Sequence, residues 1–220
     1  LSVVTQISTQ RGSLSAIPSF FPKKSLPDNS DIKLAFQYAR QAAINAGNTD
    51  LKLFYNDYGH EYSKTKTDSI AALVKRLYNE PLIGGQHIID GVGLQMHTNY
   101  ARLTDDTGTQ GNIEYAIEKM QQTGLKVHIS ELDISVTNRN DGTTQADREA
   151  AQQYRYFYIA QKYRYIVPAS QRWGITLWNI GDADSSLGVG AAATLYNIDY
   201  SRKYAYQRFY EGLNQAISIQ

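Results

Sequence analysis

The sequence predicts an α/β fold, a parallel sheet covered by helices, and three observations carry that prediction. Short β-branched or apolar runs alternate with longer segments whose apolar residues recur at three- and four-residue intervals. The strand-then-helix order repeats five times over 220 residues. No stretch has the composition of a domain linker or a low-complexity run, so residues 1–220 read as one domain with no second one attached.

The elements follow in order. Val3 and Val4 open a short first strand. A polar, Pro-containing stretch (8–29) leads to Asp31, placed to cap a helix with Ile32, Ala35, Phe36, Ala39, Ala42 and Ala43 on one side. Residues 51–56 predict a strand, and Ile70, Leu73, Val74 and Leu77 mark the next helix. A strand over 88–97 precedes a helix carrying Ile113, Ala116, Ile117 and Met120, stopped by Gly124. Residues 125–134 predict a strand, and 145 to about 166 a long helix with Pro168 just beyond. A strand over 173–178 and a helix from Arg202 to about Ala216 close the chain. The long loops, 8–30 and 98–111, both follow strands, which in a closed sheet of β/α units is the side that carries chemistry.

Composition removes several classes of function. Lys and Arg number 22 against 21 Asp and Glu, a net charge of +1, which argues against a nucleic-acid or acidic-membrane partner. No apolar run approaches the roughly 18–20 residues of a membrane helix. With zero Cys there are no disulfides, thiolate metal sites or Cys nucleophiles. The 17 Tyr, against 6 Phe and 2 Trp, offer flat faces with hydrogen-bonding tips; those of the cluster Tyr154, Tyr156, Tyr158, Tyr163 and Tyr165 are read as helix packing. The chain opens at Leu1 without Met, as expected of a processed product or a fragment.

Strand alternation sorts the remaining candidates. Between Asp90 and His97, Val92, Leu94 and Met96 share one face, while Gly91, Gly93, Gln95 and His97 share the other. The same period puts Ile129, Glu131 and Asp133 together at the carboxyl end of a strand apolar on both faces. Carboxylates there cost several kcal/mol unless paired or solvated, so they mark either a structural ion pair or a reactive site. His60, His87 and His128 have no comparable setting and read as surface or structural residues. Gly188-Val-Gly190 lacks the strand-then-helix context of a dinucleotide loop, and Asp182-Ala-Asp184 lacks the later ligands of a calcium loop.

At this point the sequence resembles a known family. Gly124-Leu-Lys-Val-His-Ile-Ser-Glu131-Leu-Asp133 is similar to the nucleophile segment of family-10 glycoside hydrolases, the retaining endo-β-1,4-xylanases. Leu53-Phe-Tyr-Asn56-Asp57-Tyr58 resembles their strand five, and Asp90-Gly-Val-Gly-Leu-Gln95-Met-His97 their strand six. Gly174-Ile-Thr-Leu-Trp178 is similar to strand eight, and Leu195-Tyr-Asn-Ile-Asp199 to the closing segment. The resemblance implies a (β/α)8 TIM-barrel type fold of which this chain holds five β/α units, strands four to eight, with a secreted, periplasmic or cell-surface location. It implies Glu131 as nucleophile, His97 as the imidazole bonded to it, and Asp133 as the carboxylate orienting that imidazole. Asn56, Tyr58, Gln95 and Trp178 match substrate-binding residues. The ligand implied is xylan or a xylo-oligosaccharide, with no cofactor and no metal.

Three departures matter. The opening Leu1-Ser-Val-Val-Thr5-Gln6 aligns by spacing with the family's acid/base segment, which puts Gln6 where a Glu is expected and Thr5 where an Asn is expected. An amide neither protonates a leaving oxygen nor activates water. A second Trp expected eight residues after Trp178 is Ser186. Five units also leave a barrel open, so preceding residues or a second chain are expected to complete it. Two readings stand: part of a xylanase, or a catalytically impaired xylan-binding or assembly module descended from one.

Overall fold

A computed structural model of the chain describes residues 4–8, 30–100 and 107–214. The strands are β1 (Val4–Ser8), β2 (Lys52–Asp57), β3 (Gly91–Leu94), β4 (His97–Asn99), β5 (Lys126–Ser135) and β6 (Arg172–Leu177). The helices are α1 (Ser30–Asn45), α2 (Lys64–Tyr78), α3 (Thr107–Gln121), α4 (Gln145–Ile166) and α5 (Tyr204–Asn214). All named strand pairs are parallel, in the order β1-β2-β3-β5-β6, with β4 continuing beyond β3 along the same side of β5. These are five β/α units of the predicted kind.

Parallel register puts paired residues on one face, and the two faces differ. Leu53, Tyr55, Val92, Leu94, Val127 and Ile129 turn toward the helices and pack with Phe36, Val74, Ile113, Ile117, Ile159 and Tyr163 in one buried cluster. Each such side chain contributes about 1.5–3 kcal/mol on burial. The other face carries Phe54, Asn56, Gly91, Gly93, His128 and Ser130. The Phe54 ring lies 5.1 Å from that of Trp173 and 6.1 Å from that of His128. Position 91 admits only glycine beside that ring, because a Cβ there would fall 2.1 Å from Phe54 Cε1.

Of the α4 tyrosines, Tyr154, Tyr156, Tyr158 and Tyr163 are packing residues, as expected, whereas Tyr165 is exposed because it faces away from the core near the helix end. The Tyr156 hydroxyl donates to the Ala193 carbonyl at 2.6 Å, that of Tyr163 to the Val127 carbonyl at 2.7 Å, and that of Tyr158 to Glu114 at 2.6 Å. Each buries a ring while satisfying its polar tip. A capping box between Thr144 and Asp147 starts this helix.

Three local expectations are corrected. The predicted strand over 88–97 is two strands, because Met96 takes a φ of +64° and interrupts the ladder. Asp31 is not the cap; α1 begins at Ser30 and Asp31 lies in its first turn, where a carboxylate still complements the helix dipole. α5 begins at Tyr204, since Arg202 is held back in a bridge with Tyr196. The predicted end of that helix near Ala216 lies outside the described residues, as does most of the loop over 8–30. Among the described residues β1 and β6 each pair on one side only.

Candidate active site

The site forms where β5 breaks its own pleat. Leu94 pairs with Ile129 and His97 with Asp133, so Gln95 and Met96 face three β5 residues: Ser130, Glu131 and Leu132. On the opposite side Ile129 pairs with Ile175 and Leu132 with Leu177, so Ser130 and Glu131 face Thr176 alone. Residue Glu131 therefore sits in a bulge relative to both neighbouring strands. A bulge turns consecutive side chains toward one face. Ser130 and Glu131 accordingly both reach the amide of Asn56 on β2.

This overturns part of the alternation reading. Ile129 does not share a face with Glu131; it is fully buried on the helix side. Glu131 and Asp133 do lie together, because regular alternation resumes after the bulge. The backbone records the same break: Gln95 N–H donates to the Asp57 carbonyl at 3.0 Å, and Glu131 N–H donates to the Gln95 carbonyl at 3.1 Å.

Four predicted residues are joined by direct hydrogen bonds. Asn56 Nδ2 donates to Glu131 Oε1 at 2.8 Å. His97 Nε2 lies 3.3 Å from Glu131 Oε2, and His97 Nδ1 lies 3.0 Å from Asp133 Oδ2. The Asp133 side chain is 1% exposed and that of Glu131 12%, so the deeper carboxylate orients the ring and the shallower one faces the opening. Burial works against charge on His97, but the Asp133 hydrogen bond and the two carboxylate charges outweigh it and raise its pKa above 6.5. Asn56 thus donates to one Glu131 oxygen and a protonated His97 donates to the other, which aims the carboxylate and stabilises negative charge on it.

Of the remaining predicted residues, Gln95 and Trp178 are tied to β5 beside this group, Tyr58 follows β2, and Gln6 is placed only by its backbone register. Gln95 is buried, and its carbonyl holds the Glu131 backbone. Trp178, half-exposed just beyond β6, is tied to the end of β5 by its N–H to the Leu132 carbonyl at 3.0 Å; the Trp178–Asn179 peptide is cis. Tyr58, exposed just beyond β2, has Lys66 Nζ 5.6 Å from its ring centroid. Gln6 lies on β1 in register with Phe54, and Ser8 is the β1 residue level with Asn56.

Sequence reasoning passed over two residues, Tyr62 and Glu61. Tyr62 donates its hydroxyl to the His97 carbonyl at 3.2 Å, and only the loop's path after β2 brings it there. His60 and Glu61 are buried in the same loop, with His60 Nδ1 3.4 Å from Glu61 Oε2. Burial lowers the His60 pKa to about 3 and raises that of Glu61 to about 7, the latter opposed by backbone hydrogen bonds and the His97 charge. His60 is thus structural rather than a surface residue. His128 is also buried, with Nε2 2.9 Å from Thr176 Oγ1, and burial lowers its pKa to about 4. Among the described residues no cluster of His, Cys, Asp and Glu could hold a metal ion.

Fold and site together define a class: a protein of β/α-barrel type whose polar constellation gathers at the carboxyl ends of its parallel strands. The sequence profile of glycosyl hydrolase family 10 matches residues 18–211, and the chain belongs to that family. Endo-1,4-beta-xylanase A of Cellvibrio japonicus is 34% identical over 82% of this chain and 30% of its own length. Endo-1,4-beta-xylanase Y of Acetivibrio thermocellus is 35% identical over 81% of this chain and 15% of its own. Among solved structures, the catalytic core of a xylanase A superposes with a TM-score of 0.68 at 33% identity, over 84% of this chain and 55% of that one. A mutant xylanase 10C from Cellvibrio japonicus, in complex with xylopentaose, gives 0.68 at 30% identity over 83% of this chain and 37% of that one. The chain therefore spans about half, or less, of the relatives it matches.

Proposed function

We propose that this chain is the carboxyl-terminal portion, strands four to eight, of a retaining endo-β-1,4-xylanase, secreted or held at the cell surface, with xylan or xylo-oligosaccharides as ligand and no cofactor. The single observation that carries the reading is His97 bridging Glu131 and Asp133 at the mouth of the sheet. A carboxylate that attacks an anomeric carbon must be charged and aimed, and that bridge serves both needs. In the proposed reaction a Glu131 oxygen bonds to the anomeric carbon while the glycosidic oxygen leaves with the bonding electrons. Trp178 and Tyr58 supply rings for the sugar, and Gln95 and Asn56 hold the Glu131 segment from below.

Retention needs a second carboxyl about 5–5.5 Å away to protonate the leaving oxygen and then activate water. Gln6 is our assignment for that position. Further polypeptide, either preceding residues or a second chain, completes the barrel next to β1 and β6. The alternative is a catalytically impaired xylan-binding or assembly module, favoured by the amide of Gln6 and by Ser186 where the family pattern has Trp.

A fluorinated dinitrophenyl xylobioside tests the proposal, since its phenolate leaves without a proton. Intact-mass spectrometry should show one added glycosyl group, located on Glu131 by peptide mapping and absent in Glu131→Gln. Xylo-oligosaccharide binding with no adduct would favour the binding module. Neither binding nor adduct would reject both readings.

A further inference from the structure

Ser130 has no part in the chemistry proposed above, yet it is buried and touches the same amide as Glu131. Its hydroxyl donates to Asn56 Oδ1, while Asn56 Nδ2 donates to Glu131 Oε1 at 2.8 Å. Asn56 is itself fully buried. A primary amide has one end that only donates and one that only accepts, and the two are nearly identical in shape. Sterics alone therefore cannot decide which end meets the carboxylate.

We infer that Ser130 is a positioning residue that fixes the orientation of the Asn56 amide and thereby aims Glu131. The inference rests on Glu131 being the nucleophile. The carboxylate only accepts and so draws Nδ2, and the Ser130 hydroxyl locks that orientation by supplying the donor that Oδ1 then needs. Without it, Oδ1 is a buried acceptor lacking that partner, a situation that costs about 1–3 kcal/mol and makes other amide orientations competitive. In the flipped orientation Oδ1 would meet Glu131 Oε1, acceptor against acceptor.

Two features of the backbone serve this arrangement. The β5 bulge brings Ser130 and Glu131, adjacent in sequence, to one side chain; a regular strand would send them to opposite faces. Gly93 leaves the room: a Cβ there would lie 2.4 Å from Asn56 Oδ1 and 3.3 Å from Ser130 Oγ. Three neighbouring strands thus converge on one amide.

The test uses the full chain with Ser130→Ala, Ser130→Cys and Ser130→Thr, each checked for folding by thermal unfolding. Cysteine keeps the volume with a weak donor, so it replaces alanine should that variant not fold; threonine keeps the hydroxyl. The first readout is the side-chain amide of Asn56 in nitrogen-15 NMR. One proton bonded to a carboxylate separates the two amide proton signals, and Glu131→Gln identifies that separation by reducing it. We expect Ser130→Ala and Ser130→Cys to reduce it and Ser130→Thr to preserve it. The second readout is labelling by the fluorinated dinitrophenyl xylobioside. Its maximal rate should fall ~10- to 100-fold in Ser130→Ala, its half-saturating concentration should change less than ~3-fold, and Ser130→Thr should restore the rate. An unchanged amide signature in Ser130→Ala and Ser130→Cys, or a Ser130→Thr protein as slow as Ser130→Ala, overturns the inference. If the unsubstituted chain takes no label, the proposed function has failed there, and the amide signature alone decides the orienting role of Ser130.

Discussion

Ile129 and Glu131 stand one residue apart on β5 and face opposite sides of the sheet. Ile129 is fully buried against the helices, whereas Glu131 opens toward solvent between Asn56 and His97. The pair gives a clean division of labour. Ile129→Ala should cost about 2–5 kcal/mol in urea unfolding, through lost burial and the cavity left behind, with the polar group itself intact. Glu131→Gln should change stability by less than about 1 kcal/mol and abolish labelling. A large stability loss in Glu131→Gln would mean that the carboxylate is a structural ion pair.

His97 should titrate above 6.5, the direction set by Asp133 and Glu131 against burial. NMR titration of the imidazole checks this, and Asp133→Asn should bring the midpoint down. The sign for stability follows: with the folded-state value raised, the contribution is fully present below pH 6.5 and is lost as pH rises through the folded value. Asp133→Asn should therefore flatten that part of the pH–stability curve.

The loop after β2 should impose pH limits of its own. Glu61 is raised from 4.5 to about 7, so stability falls as pH rises through that window, by up to about 3 kcal/mol. His60 is lowered from 6.5 to about 3, so stability falls as pH drops through that range. Denaturant midpoints across pH should show Glu61→Gln gaining relative stability as pH rises from 4.5 to about 7, and His60→Gln losing less on acidification.

The assignment of Gln6 to the acid/base position can be tested against Ser8, two residues further along β1. Loss of general acid catalysis typically costs ~10²–10⁴-fold on a sugar leaving group, while an activated aryl xyloside still reacts in the first step. Azide should then release the glycosyl group from Glu131 as a glycosyl azide, since it attacks the anomeric carbon without a general base. Gln6→Glu should restore some xylan hydrolysis once the barrel is complete. The β1 register, which puts Ser8 rather than Gln6 level with Asn56, makes Ser8→Glu the informative control. Restoration by Ser8→Glu alone would move the acid/base position two residues along.

The sheet edges give a prediction about assembly. Near the end of β6, Trp178, Ile180, Leu187 and Val189 are all well exposed. Analytical ultracentrifugation should find the chain self-associated, or bound once polypeptide supplying further β/α units is added. A monodisperse 24.7 kDa monomer with cooperative unfolding would count against a completing partner.

Much of this molecule is written locally. Helix α4 appears at 145–166, ending just before Pro168, and α1, α2 and α3 carry the apolar positions whose three- and four-residue periods mark them. The motif around Glu131, with Gln95 and His97 one strand away, carried the family and four interacting site residues, because those side-chain types are hard to explain at the end of a buried strand by packing alone. What depends on neighbouring strands could not be read that way. A two-residue period assigns Glu131 to the face of Ile129, and only the ladders to β3, β4 and β6 together force the extra residue that turns it around. The positive φ of Met96 has the same origin, as does the meeting of Ser130 with Asn56, seventy-four positions apart in the chain. Periodicity reports the average environment along one strand. A bulge is a compromise among three strands, and its position is set by hydrogen bonds that no single segment contains.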